Sequence, residues 1–241
     1  IEACGGSHYW SRYFQRLGHE VRMMSPQFVK PYVKSNKNDR NDSEAIAEAC
    51  TRPHMRFVPV KTIEQQDILM IHRARELAIK QRTAQANQIR GFLNEYGVIM
   101  AKGISKINLL LTILEENKAK LTPIMIELIT HLYEQFKLYD GQVKKYDKQL
   151  EAMAKGNPVC QEIQKIDGVG PITATAIVAT VGDAKAFKNG REVSAWLGLT
   201  PKQHSSGEKI VLGGISKRGD RYMRKLLIQG ARMAVKNCEN K

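Results

Sequence analysis

From Met125 to Met153 one period runs unbroken: Met125, Ile129, Leu132, Phe136, Tyr139, Val143, Tyr146, Leu150 and Met153 follow one another at spacings of 4,3,4,3,4,3,4,3. Alternating steps of four and three keep all of these side chains on one stripe of an α-helix, and such a stripe must pack on another helix. The start is also written in the sequence, because Thr122 and Pro123 are a capping hydroxyl followed by a proline at the first helical position. The preceding segment, from Ile63 to Gly97, offers Ile63, Met70, Leu77 and Ala84 at sevenfold spacing, with mostly polar residues at the matching positions between them. Its seam is weaker. The two segments therefore predict an antiparallel helical hairpin within the chain or a pairing between two chains, serving as a spacer or as a dimerisation arm.

On either side of this arm, residues 59–156, the character changes. Residues 1–58 read as a small α/β unit: SHYWSRYFQRLG as a helix ending at Gly18, HEVRMMS as a short strand and DRNDSEAIAEACTR as a second helix. The fragment IEACGGSHYW begins as though leaving a strand, so an upstream segment is expected. Residues 157–241 form an α-rich third unit opened by Asn157-Pro158. Within it IDGVGPITATAIVATVGD places Gly168 and Gly170 between two helical runs, a helix-hairpin-helix pattern. In such a turn the backbone N–H groups and the positive end of the next helix face a phosphate without reading sequence. A tight helix connection with no ligand gives the same pattern.

Charge decides what partner to expect. Lys and Arg outnumber Asp and Glu by 38 to 24 in 241 residues, a net charge of +14, which points to a polyanion, nucleic acid before membrane. Half of that excess lies in the last 41 residues, where Lys209, Lys217, Arg218, Arg221, Arg224 and Lys225 are candidates for gripping phosphates. Four cysteines far apart, with no apolar span or signal peptide, are consistent with a reducing cytoplasmic setting and no membrane.

Two sets of residues could carry chemistry. Asp39 and Asp42, three apart at the start of a helix beside Lys34, Lys37 and Arg40, share a face and can converge on a cation, though capping and the helix dipole also favour acids there. Glu2, at the expected end of a strand, is a third oxygen donor for a hard ion such as Mg²⁺. Ser205 and Ser206, before Gly207, lie in a polar loop ahead of the basic segment. A serine attacking phosphorus needs a base or metal and nearby cations, and the cations are close in sequence.

Three patterns together, EACGGSHYWSR, KNDRNDSEAIA and GVGP…WLGLTPKQHSSG…GISKRGDRYMR, resemble the DEDD-type insertion-sequence transposases of the one-ten family, serine recombinases guided by a structured bridge RNA. The resemblance implies an α/β plus mostly α chain: a partial RuvC-like, ribonuclease-H-type domain, a coiled-coil arm and a C-terminal transposase domain. Glu2, Asp39 and Asp42 then match the second to fourth acids of a Mg²⁺ site whose first acid has no counterpart, so the chain is expected to be truncated and silent alone. Ser206 matches the nucleophile, with Ser205 as the neighbouring choice, and DNA, a guide RNA and a second copy of the chain become the partners. Two other readings remain: a RuvC-like junction nuclease using water, and a non-enzymatic helix-hairpin-helix DNA-binding protein.

Overall fold

The computed structural model describes residues 1–34, 36, 38–207 and 209–239, which leaves Lys37 outside the described residues. They form two compact units, residues 1–66 and 67–241.

In the first unit, α1 (Ser7–Arg16) leads to β1 (Met23–Met24), α2 (Pro26–Val29), α3 (Asp39–Cys50) and β2 (Phe57–Val58). Strands β1 and β2 pair antiparallel, Met23 opposite Val58 and Met24 opposite Phe57, while Met24 also makes a parallel bridge to Glu2. Among the described residues this sheet is narrower than a ribonuclease-H-type sheet. Its core is Met24, Val29, Ala45 and Ala49, with Tyr32, Ile46 and Met55 packed around them. Ala45 and Ala49 are one helical turn apart, and their small side chains let α3 lie close on β1.

The second unit carries the long helices. Helix α4 (Ile63–Glu95) leads through α5 (Leu110–Glu116) to α6 (Pro123–Lys155). The Thr122 hydroxyl accepts from the Met125 N–H at 3.2 Å, so α6 starts where its cap and proline place it. Then come α7 (Pro158–Ile163), α8 (Pro171–Val181), α9 (Gly190–Trp196), the hairpin β3 (Pro201–Gln203) and β4 (Leu212–Ile215), and α10 (Arg221–Glu239).

The α6 stripe faces inward as its spacing dictates: Met125, Ile129, Leu132, Phe136, Val143 and Leu150 are buried and Tyr139 and Tyr146 half-buried. At its end Ala154 is buried while Met153 turns out, the drift of a 3.6-residue helix against a 3.5-residue repeat. Its partner is α4, and the pairing is antiparallel. As the α4 position rises through Arg75, Arg82 and Gln85, the α6 partner falls through Asp147, Asp140 and Gln135, at 2.5, 2.7 and 2.7 Å.

The expected α4 seam is not the one used. Ile63, Met70, Leu77 and Ala84 are exposed, and the residues that face inward are His72, Arg75, Ile79, Arg82, Ala86, Ile89 and Leu93. This stripe also alternates three and four, but its charged members hide it from a hydrophobicity pattern. Burial works to raise the Asp140 carboxyl, yet the hydrogen bonds and charges of Lys144 and Arg82 outweigh it and hold the group below its ordinary range. Removing either partner of such a half-buried pair leaves a charge without its counter-ion, which costs more than the pair contributes.

Around this hairpin, Ile89, Leu93, Ile107, Leu110, Ile129 and Phe136 form the main core. At the other end of the unit Ala176, Leu197, Met223 and Leu226 join α8, α9 and α10. There the α10 backbone lies on the turn before α8: a Cβ on Gly230 would stand 2.1 Å from the Gly168 carbonyl oxygen, and one on Gly168 2.4 Å from that of Gly230. Only two glycines permit that approach. No helix of the described residues is long and apolar enough to cross a membrane.

Candidate nucleic-acid interface

The polar loop expected around Ser205 and Ser206 is the tip of a hairpin. Strands β3 and β4 pair antiparallel, Pro201 opposite Ile215 and Gln203 opposite Leu212, with an irregularity between. At the tip Ser206 and Lys209 face each other, the Ser206 N–H reaching the Lys209 carbonyl at 3.3 Å and the Lys209 N–H the Ser206 carbonyl at 3.2 Å. The two serines differ. Ser205 Oγ accepts from Gln203 Nε2 at 3.0 Å, whereas the Ser206 hydroxyl is exposed and has no hydrogen-bond partner among the described residues. Lys209, also exposed, is the nearest cation in the strand register.

The segment GISKRGDRYMR that follows β4 divides into bracing residues and surface cations. Gly219 lies against α9: a Cβ there would be 2.0 Å from the Trp196 carbonyl oxygen. Asp220 caps α10, its carboxylate accepting from the Met223 N–H at 2.8 Å, and Met223 itself is buried. Arg224, read from the sequence as a phosphate contact, is buried instead, with Nη1 donating to the carbonyls of Leu197 at 3.0 Å and Gly219 at 2.7 Å. Its guanidinium braces the junction of α9 and α10 from inside. Lys225 is tied to Glu76 at 2.9 Å and lies 5.5 Å from the centre of the Tyr222 ring. The side chains of Lys209, Lys217, Arg218 and Arg221 are exposed and make no ion pair among the described residues, so they are among the cations this unit offers to a polyanion.

The two turn glycines also have different surroundings. Gly168 is occupied by its contact with Gly230, while Gly170 stands before Pro171 at the start of α8 with open space beside it. Both glycines remain exposed.

In the first unit Asp39 and Asp42 occupy the first turn of α3, behind an Asn38 cap whose side chain accepts from the Asn41 N–H at 2.8 Å. Both are well placed for the helix dipole. Glu2 lies on the bridge to Met24. Among the described residues no three of His, Cys, Asp and Glu are grouped so as to hold a metal ion. The donors have the hard-oxygen chemistry Mg²⁺ takes but do not complete a shell.

One polar cluster gives no signal in the sequence. His72 is buried on α4, its Nδ1 3.0 Å from the Tyr222 hydroxyl and its Nε2 3.1 Å from Thr175 Oγ1, so a single imidazole joins α4, α8 and α10. Burial, helped by the nearby Arg75 charge, lowers its pKa to about 4, and burial raises that of Tyr222. The imidazole is neutral at ordinary pH and works as a hydrogen-bonding hub.

The exposed Ser206 hydroxyl and the surface cations Lys209, Lys217, Arg218 and Arg221 are this unit's candidate contacts with a nucleic acid, and the class of protein comes from comparison with known proteins. A family model described as transposase, IS116/IS110/IS902 family, matches residues 160–241, and a DEDD-type transposase model matches residues 1–98. A probable family 20 transposase of Pseudomonas aeruginosa is 45% identical over the whole chain, which covers 72% of that protein. The transposase for insertion sequence element IS1111A of Coxiella burnetii is 48% identical, with 66% of its length covered, and that for IS1328 of Yersinia enterocolitica 40% identical, with 71% covered. The chain belongs to the IS116/IS110/IS902 family of insertion-sequence transposases.

Proposed function

We propose that the chain exchanges DNA strands for an insertion sequence, with Ser206 as the nucleophile and a structured guide RNA choosing the sites. The observation that carries the serine is its hydroxyl, exposed at the hairpin tip with no hydrogen-bond partner among the described residues, opposite Lys209. Attack forms a bond from Ser206 Oγ to phosphorus and breaks the ester bond to one sugar oxygen, which leaves as a hydroxyl carrying the proton the serine gave up. Rejoining is the reverse, so the phosphodiester energy is kept in the protein–DNA link. Lys209, Lys217, Arg218 and Arg221 offset the charge of the phosphorane and hold the flanking backbone.

Glu2, Asp39 and Asp42 would be the residues of this chain that supply oxygen ligands to a Mg²⁺ ion. When bound, such an ion polarises a phosphoryl oxygen. The guide RNA rests on the family resemblance and on the +14 charge. A second copy of the chain has an available face on α4, where Met70, Leu77 and Ala84 point outward because α6 already fills the inner one. The test is a denaturing gel of the protein, alone and extended upstream to supply the first acid that the resemblance implies, incubated with guide RNA, insertion-sequence-end DNA and Mg²⁺. Ser206→Ala should abolish the covalent species and Ser205→Ala only weaken it; the opposite result would move the nucleophile to Ser205.

A further inference from the structure

We infer that the groove between α2 and the turn after α3 in the first unit receives an unpaired nucleobase of the nucleic-acid partner, an inference that rests on the nucleic-acid reading above. The groove has a volume of about 380 Å³, within the roughly 300–1,000 Å³ of small-ligand sites and far too small for a duplex. Phe28, Tyr32, Arg52, His54, Met55 and Arg56 line it, with no carboxylate in the lining among the described residues.

The walls are anchored from behind. Tyr32 and Met55 pack on the core formed by Met24, Val29, Ala45 and Ala49. The Arg52 guanidinium lies 5.4 Å from the centre of the Tyr32 ring and is also paired with Glu48, which holds a planar cation beside that ring. Phe28 is 38% exposed, leaving part of its ring open to a ligand. His54 and Arg56 are exposed, and Arg56 has no ion pair among the described residues.

Aromatic and guanidinium planes are the surfaces on which proteins stack splayed-out bases, and an unpaired cation beside them suits the flanking phosphate. The same apolar walls would accept a proline-rich peptide. The excess of positive charge, in the lining and in the whole chain, favours the polyanion.

The experiment uses the full chain and a short single-stranded oligonucleotide containing 2-aminopurine, as DNA and as RNA, beside a duplex of the same sequence. Binding should quench the 2-aminopurine fluorescence. Phe28→Ala should relieve the quenching and weaken single-strand affinity about tenfold, the size expected for one lost stacking partner, with duplex affinity unchanged. Arg56→Gln should weaken single-strand binding without relieving the quenching. Both positions are on the surface, and unchanged circular dichroism and melting would show that the variants fold. Duplex binding with single-strand binding indifferent to both variants would overturn the groove alone. An equal loss on duplex would reduce these residues to general electrostatics, and displacement of nothing but a proline-rich peptide would assign the groove to protein. Failure to bind either nucleic acid would overturn the groove and the nucleic-acid reading together.

Discussion

Replacing Gly230 by alanine should destabilise the protein, although the same exchange inside a helix ordinarily stabilises it. In an open helical position Gly→Ala is worth up to about 1 kcal/mol, because alanine has less backbone freedom to lose. At Gly230 the new Cβ would stand 2.1 Å from the Gly168 carbonyl oxygen, so α10 and the turn before α8 must separate by about 1 Å to restore the 3.0 Å that real contacts keep. Both sides of the contact are backbone, and neither can rotate away. Overpacking of this kind costs about 1–3 kcal/mol, and the rigid case belongs at or above the upper end. The expected balance is a loss of about 2 kcal/mol, or roughly 4–8 °C in Tm for a chain of this size. Gly141, in α6 with nothing within 4 Å, is the control, and Gly141→Ala should gain about 0.5–1 kcal/mol. Both variants are measured by chemical and thermal denaturation. A Gly230→Ala protein as stable as the parent would refute the backbone contact.

Two further predictions concern polar groups. The pKa of His72 is depressed to about 4 from an unfolded value near 6.5, so the unfolded chain binds the extra proton first. Stability should be full above pH 6.5 and fall by up to about 3 kcal/mol as pH drops towards 4, and His72→Gln should flatten that slope in denaturant titrations across the range. Arg224→Ala should cost about 3 kcal/mol by stranding the buried Leu197 carbonyl and the part-buried Gly219 carbonyl while leaving the salt dependence of DNA binding unchanged. Arg218→Gln should do the reverse, keeping stability and reducing the slope of log affinity against log salt by about 0.9.

What could be read in advance depended on whether a residue's partner is local. The α6 stripe was legible because every member is apolar or aromatic and its cap sits next to it at Thr122. The α4 seam was not, since Arg75 and Arg82 look like solvent residues until Asp147 and Asp140 are found opposite. In the same way Gly219, Asp220 and Arg224 lie in one run of mostly basic charge in sequence but split in space into a packing glycine, a cap and an internal brace. The contact between Gly168 and Gly230 has no local signal, because Gly230 lies on a distant helix. The serine pair stands out through the family resemblance and the cations near it in sequence, and only the hairpin separates a hydroxyl held by Gln203 from an open one.

The most direct test of the strand-exchange account is to digest the trapped protein–DNA adduct with protease and nuclease and locate the phosphonucleotide by mass spectrometry. With a protease that cleaves after lysine, the account predicts one modified peptide, Gln203 to Lys209, with the nucleotide on Ser206. A nucleotide found on any other residue, or complete cleavage of the DNA with no protein-linked phosphate at all, would contradict it.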